Sequence, residues 1–141
     1  MINAIIDGIC VTINSEFGDE HEIYTETVEQ GLKEPCFSIL CLNPTIERFF
    51  GKKYFRTNKF CIHYFPSSDE PIAECNAVAE RLFFTLENVS VEGDPIVGTN
   101  MKYEVVDGAL SFFVNYNLFI YRLFDEEAMM EVYSYKPEAK G

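Results

Sequence analysis

The stretch that most constrains this fold is residues 99–122, TNMKYEVVDGALSFFVNYNLFIYR, which dictates one long antiparallel hairpin turned at Asp107-Gly108. An Asp-Gly pair tolerates the positive φ angles of a type I′ turn, whose twist matches that of the flanking strands. With those two residues at the turn, Val105 faces Leu110, Tyr103 faces Phe112 and Met101 faces Val114. One face is then apolar across both strands. The other pairs Glu104 with Ser111, Lys102 with Phe113 and Asn100 with Asn115. A slip of one residue would scramble this sorting. Further along the second strand, Leu110, Phe112, Val114, Tyr116, Leu118 and Ile120 alternate with Ala109, Ser111, Phe113, Asn115, Asn117, Phe119 and Tyr121. The latter face sets three aromatics among small polar groups. A free monomer gains little from such a face, so Phe113, Phe119 and Tyr121 are candidates for a partner surface.

A second hairpin is legible in Cys36–Phe50 and Tyr54–Phe65, turned at Gly51-Lys52. This register sets Phe60 opposite Asn43, Ile62 opposite Cys41 and Tyr64 opposite Ile39, and Pro44 argues for an edge strand or a bulge. Residues 44–58 are expected to project as a mobile basic arm. Residues 2–17 read as a helix with an apolar stripe of Ile2, Ile5, Ile6, Ile9, Ile13 and Phe17, stopped at Gly18 and weakened by Gly8. Ser67 with Glu70 fits a capping box, with Ser68 or Asp69 as other N-caps, for a helix running to about Asn88. Its stripe is Ile72, Cys75, Val78/Ala79, Leu82, Phe83 and Leu86. Residues 22–28 form a short strand, and 89–98 read as a loop with room for a short strand. Residues 125–141 form an acidic, partly flexible tail with one apolar patch, Met129–Tyr135. The expected architecture is a single α+β domain over 1–141. Its mainly antiparallel sheet is built from two long hairpins, with two amphipathic helices packed on one face.

The net charge of −12 argues against generic nucleic-acid binding, which favours a basic surface. Five of the eleven basic residues nevertheless fall together: Arg48, Lys52, Lys53, Arg56 and Lys59. Phe49, Phe50, Tyr54 and Phe55 accompany them, and aromatics with Arg are a common interface composition. The cluster reads as a phosphate site, a solvated hairpin tip, or a dock for the acidic surface of a neighbouring copy. Complementarity with so acidic a chain favours the last.

Five cysteines, an odd number without CxxC, read as reduced core residues in a reducing compartment. His21 and His63 have no metal-like neighbour in sequence, and no catalytic or cofactor motif is present. The concrete enzyme alternative is a thiol hydrolase pairing Cys61 or Cys41 with His63. No signal peptide is evident, and no apolar run approaches the roughly 20 residues a membrane helix needs. Use in a cytoplasm, with no membrane partner and no cofactor, is expected.

The segments VEQGLKEPCFSILCL (28–42), FRTNKFCIHYFP (55–66) and NMKYEVVDGALSFFVNYN (100–117) together resemble the phage tail terminator proteins of Gram-positive prophages and phage-like elements. The matching positions are Gln30, Gly31, Pro35, Cys36 and Phe37, then Tyr64, Phe65 and Pro66, then Asp107, Gly108, Phe112, Phe113, Asn115 and Tyr116. The resemblance implies an α+β structural protein that forms a hexameric ring on a finished tail tube, stops its growth and presents a surface for head joining. Its partners would be further copies of itself, the tail tube protein and the head–tail connector. A head–tail connector or neck protein is the alternative within the same particle. No enzymatic step or cofactor is implied.

Overall fold

The computed structural model describes residues 1–26, 31–125 and 130–137, with side chains described up to Arg122. Its elements are α1 (Ile2–Phe17), β1 (Glu22–Tyr24), β2 (Cys36–Phe50), β3 (Lys53–Phe65), α2 (Pro71–Thr85), β4 (Asn88–Val91), β5 (Asp94–Val97), β6 (Thr99–Val106), β7 (Ala109–Asn115), β8 (Leu118–Asp125) and β9 (Met130–Pro137). One sheet follows the path β1-β2-β3-β7-β6, with β8 also on β3 and β9 on β8; β4 and β5 form a separate ribbon. The fold is α+β and almost wholly antiparallel. Among the described strands only β1 runs parallel, to β2, after the long connection such a pairing requires.

The Asp107-Gly108 turn forms as read, with φ of 53° and 75°. Val105, Tyr103, Glu104 and Lys102 pair with Leu110, Phe112, Ser111 and Phe113. Beyond Lys102 the register departs from expectation: Asn115 pairs with Thr99 rather than Asn100, across a bulge in which Asn100 has φ 51°. The second strand is divided at Tyr116–Asn117 into β7 and β8, yet both run along β3 in one register, from Tyr64↔Leu110 to Lys53↔Tyr121. At the division, Asn58 donates through Nδ2 to the Tyr116 carbonyl at 3.0 Å, and its backbone N–H reaches Asn117 Oδ1 at 3.3 Å. Side chains thus carry the ladder through the irregularity.

The β2–β3 register requires correction. Phe60 pairs with Cys41, Ile62 with Ile39 and Tyr64 with Phe37, a shift of two from the expected pairing. Two bulges on β2, between Leu42 and Thr45 and between Arg48 and Phe50, each add a residue to that strand. The first contains Pro44, which has no N–H to offer a ladder, and Asn43 at φ 41°. From Cys36 to Leu42 the shift is even and keeps each side chain on its expected face, so Phe37, Ile39, Phe60, Ile62 and Tyr64 are buried as the alternation required. Between the bulges, Thr45–Arg48 are displaced by one, which turns each to the face opposite the expected one.

Both helices cover this apolar face. Ile5, Ile9 and Ile13 of α1 join Cys75, Val78, Ala79 and Leu82 of α2 and the even-numbered residues Leu110–Ile120 in one core. Ile2 and Ile6 are only partly buried, and Ile72 is 61 % exposed, because α2 opens with Pro71 at the rim of the sheet. The capping box does not form. Glu70 is the N-cap without a side-chain bond, and Glu74 instead reaches back to accept from the Ser67 and Ser68 N–H groups and the Tyr64 hydroxyl.

Residues 89–98 hold a genuine ribbon. Glu92 (φ 52°) and Gly93 (φ 90°) turn β4 into β5, burying Val89, Val91 and Ile96. This ribbon explains Gly8: a Cβ there would lie 2.6 Å from the Ser90 carbonyl oxygen, so α1 meets β4 only through a residue lacking one. The apolar patch at 130–135 is strand β9, paired with β8 from Asp125↔Met130 to Leu118↔Pro137. The acidic residues Glu126 and Glu127, Met129, and 138–141 lie outside the described residues.

Candidate assembly interface

The odd-numbered residues of β3 and of the β7–β8 line share the face of the sheet opposite the helices. Because β3 keeps one register along both strands, Lys53 and Phe55 stand opposite Tyr121 and Phe119, and Lys59, Cys61 and His63 opposite Asn115, Phe113 and Ser111. The arm and the strand face, distinct in the sequence, are therefore brought together. The Phe119 ring lies 4.9 Å from Phe55 and 5.2 Å from Phe49. Lys53 Nζ sits 4.2 Å from the Phe119 centroid, 5.4 Å from Phe49 and 5.9 Å from Tyr121. An ammonium shared among three rings fixes them as a cationic, apolar patch rather than a loose set of side chains. Glu47, Arg48, Phe49, Phe55 and Phe119 border a shallow pocket of about 340 Å³ here.

The remaining arm residues take two positions. Tyr54 and Arg56 lie on the opposite face of the sheet, pairing through the backbone with Ile120 and Leu118. Arg48 stacks 5.9 Å over the Tyr54 ring, and Arg122 donates to the Tyr54 hydroxyl at 3.4 Å. Hydrogen bonds from Arg122 and Arg48 hold that phenol below its ordinary pKa. Phe50 and Lys52 stand at the turn, with Phe50 80 % exposed. Phe113 is separate from the arm cluster. It is half-buried in the middle of the sheet, with Lys59 Nζ at 5.1 Å and Lys102 Nζ at 5.8 Å from its ring.

Cys61 and His63 do meet: Sγ lies 3.6 Å from Nε2, while His63 Nδ1 is 3.2 Å from Ser111 Oγ. Burial nevertheless pushes the Cys61 thiol up to about 11, so it stays protonated near neutrality and is a poor nucleophile there. Cys41 pairs with Phe60 on the helix-covered face, and so cannot partner His63 across the sheet. All five cysteines are free thiols. His21 packs its ring against Phe17 and Phe37, at 5.8 and 5.7 Å. No helix among the described residues is long and apolar enough to cross a membrane.

One surface escaped the sequence reading. Glu80, Phe83, Phe84, Glu87 and Met101 line a second pocket of about 430 Å³ on the outer side of α2, with Phe84 82 % exposed. Its only sequence signal is an aromatic standing outside the apolar stripe of α2.

A search of the curated proteins finds no match. A scan against protein families matches residues 4–128, from the first turn of α1 past the end of β8, to a family described as phage tail terminator protein. With α2, the arm, strands β1 to β8 and all but the first residues of α1 inside that match, the chain belongs to the phage tail terminator family and is a structural protein of a phage tail.

Proposed function

We propose that this chain closes a completed tail tube as a homo-hexameric ring, ends tube growth and offers the surface to which the head is joined, assembling in the host cytoplasm and remaining in the virion tail. The observation that carries this reading is the convergence of Phe49, Lys53, Phe55, Phe119 and Tyr121 into one solvent-facing cationic patch on an otherwise acidic chain. A rigid β-surface with aromatic anchors suits protein contact, and a ring needs complementary, non-identical patches on each subunit. Small-molecule chemistry has less support, because the one Cys–His pair holds a protonated thiol.

Particles produced without this chain test the proposal. Tails longer than normal and lacking heads are expected, with purified chain binding the exposed tube end as a hexamer by native mass spectrometry. Tails of normal length that lack only heads assign the chain to the connector instead.

A further inference from the structure

The two most exposed large apolar side chains among the described residues are Phe84, at 82 %, and Phe50, at 80 %. Phe84 stands among carboxylates, whereas Phe50 stands at an arm tip where Arg48, Lys52 and Lys53 outnumber the single carboxylate of Glu47. Phe84 stands with Glu80 and Phe83, which three- and four-residue spacings set side by side at the C-terminal end of α2, and Glu87, just past the end of that helix, lines the same pocket. The β6 bulge adds Met101 to the same pocket. Arg81, the single cation of α2, is turned away to α1, where it pairs with Glu16 at 2.9 Å and covers the Phe17 ring at 4.1 Å. The pocket is left acidic and aromatic. Phe50 closes β2 at the Gly51-Lys52 turn, flanked by Arg48, Lys52 and Lys53.

We infer that the arm tip of one copy docks on the α2 pocket of the next, with Phe50 beside Phe84 and with Arg48 and Lys52 facing Glu80 and Glu87. This rests on the self-association proposed above and names its two surfaces. The arm belongs to β2 and β3, whereas the pocket lies at the β6 edge, across β7 from them. Two different patches per subunit make a heterologous contact, the kind that closes into a ring or continues as a filament. Two copies of a −12 chain repel at long range, and the arm is the cationic region that can lead the approach. The carboxylates then select orientation while the aromatics supply the buried area.

The test places the photo-cross-linking residue p-benzoyl-phenylalanine at position 50 and irradiates the full chain, alone and on tail tubes. A cross-linked dimer is expected, with the adduct in the peptide that carries Glu80–Glu87. Phe84→Asp is expected to cut its yield about tenfold. Glu80→Lys with Glu87→Lys is expected to do the same, and adding Arg48→Glu and Lys52→Glu to be restorative. Adducts elsewhere in the chain, adducts to the tube protein, or monomer under both conditions overturn the pairing. A hexamer on tubes with adducts elsewhere overturns it while leaving the tail-terminator reading intact.

Discussion

Gly8→Ala is the substitution on which local and tertiary physics disagree in sign. In an isolated helix the change stabilises by about 1 kcal/mol, since Ala loses less backbone entropy than Gly. In this fold the added Cβ would lie 2.6 Å from the Ser90 carbonyl oxygen, 3.0 Å from Val89 Cγ1 and 3.4 Å from Val91 Cγ2. Reaching ordinary contact distance from the oxygen requires α1 and β4 to part by roughly 0.8 Å. Neither can yield cheaply. Val89 and Val91 are buried in the common core, as are Ile5 and Ile9 on the same helix. Overpacking costs about 1–3 kcal/mol, and with a backbone oxygen as the nearest atom the upper part of that range, about 2–3 kcal/mol, applies; after the propensity gain of about 1 kcal/mol a net loss of roughly 1–2 kcal/mol is expected. For a chain of this length that corresponds to a fall in Tm of about 3–8 °C. Urea unfolding followed by circular dichroism measures it, with Ser15→Ala on the exposed side of α1 as the propensity control. The control should gain a few tenths of a kcal/mol, roughly the Ser-to-Ala propensity difference. A Gly8→Ala protein as stable as the parent, or more so, would refute the close approach of α1 to β4.

Three further outcomes follow from the same packing. Phe113→Asp should fold, because the new carboxylate lies near the Lys59 and Lys102 ammonium groups, yet fail to assemble on tail tubes; outright unfolding by circular dichroism would make that face core instead. Tyr116→Phe removes a buried hydroxyl that donates to the Leu86 carbonyl at 2.6 Å, leaving that oxygen without this donor, and should cost about 1–3 kcal/mol in urea unfolding. Cys61, with its thiol raised to about 11, is only about one part in a thousand thiolate at pH 8, so iodoacetamide labelling mapped by mass spectrometry should be far slower than for a free cysteine and should climb with pH through 10. Rapid labelling at pH 7 would reopen a nucleophilic role.

Much of the architecture was legible because it rests on period-two sorting. The Asp107-Gly108 turn and the alternation from Leu110 to Ile120 name the core face of the sheet without reference to any other element. The α2 stripe from Cys75 to Leu86 was legible for the same kind of reason, while its cap was not. Glu74 accepts from the Ser67 and Ser68 N–H groups while the Tyr64 hydroxyl, at the end of the preceding strand, donates to the same carboxylate, a reach back across the β3–α2 connection that no capping-box spacing signals. The β4–β5 ribbon was lost to its Gly and Pro content, although Glu92-Gly93 turns it much as Asp107-Gly108 turns the long hairpin.

Sequence alone thus determined which residues of the central strands face inward and that aromatic and cationic residues cluster between Arg48 and Lys59, since both follow from local spacing and composition. Tertiary structure decided what that cluster touches. The unbroken register of β3 along β7 and β8 carries Phe119 and Tyr121 to Lys53 and Phe49, joining groups far apart in the chain into one patch. It also decided that Phe84 would stand exposed between two glutamates, because only the packing of α2 on β6 and β7 fixes which side of that helix meets solvent.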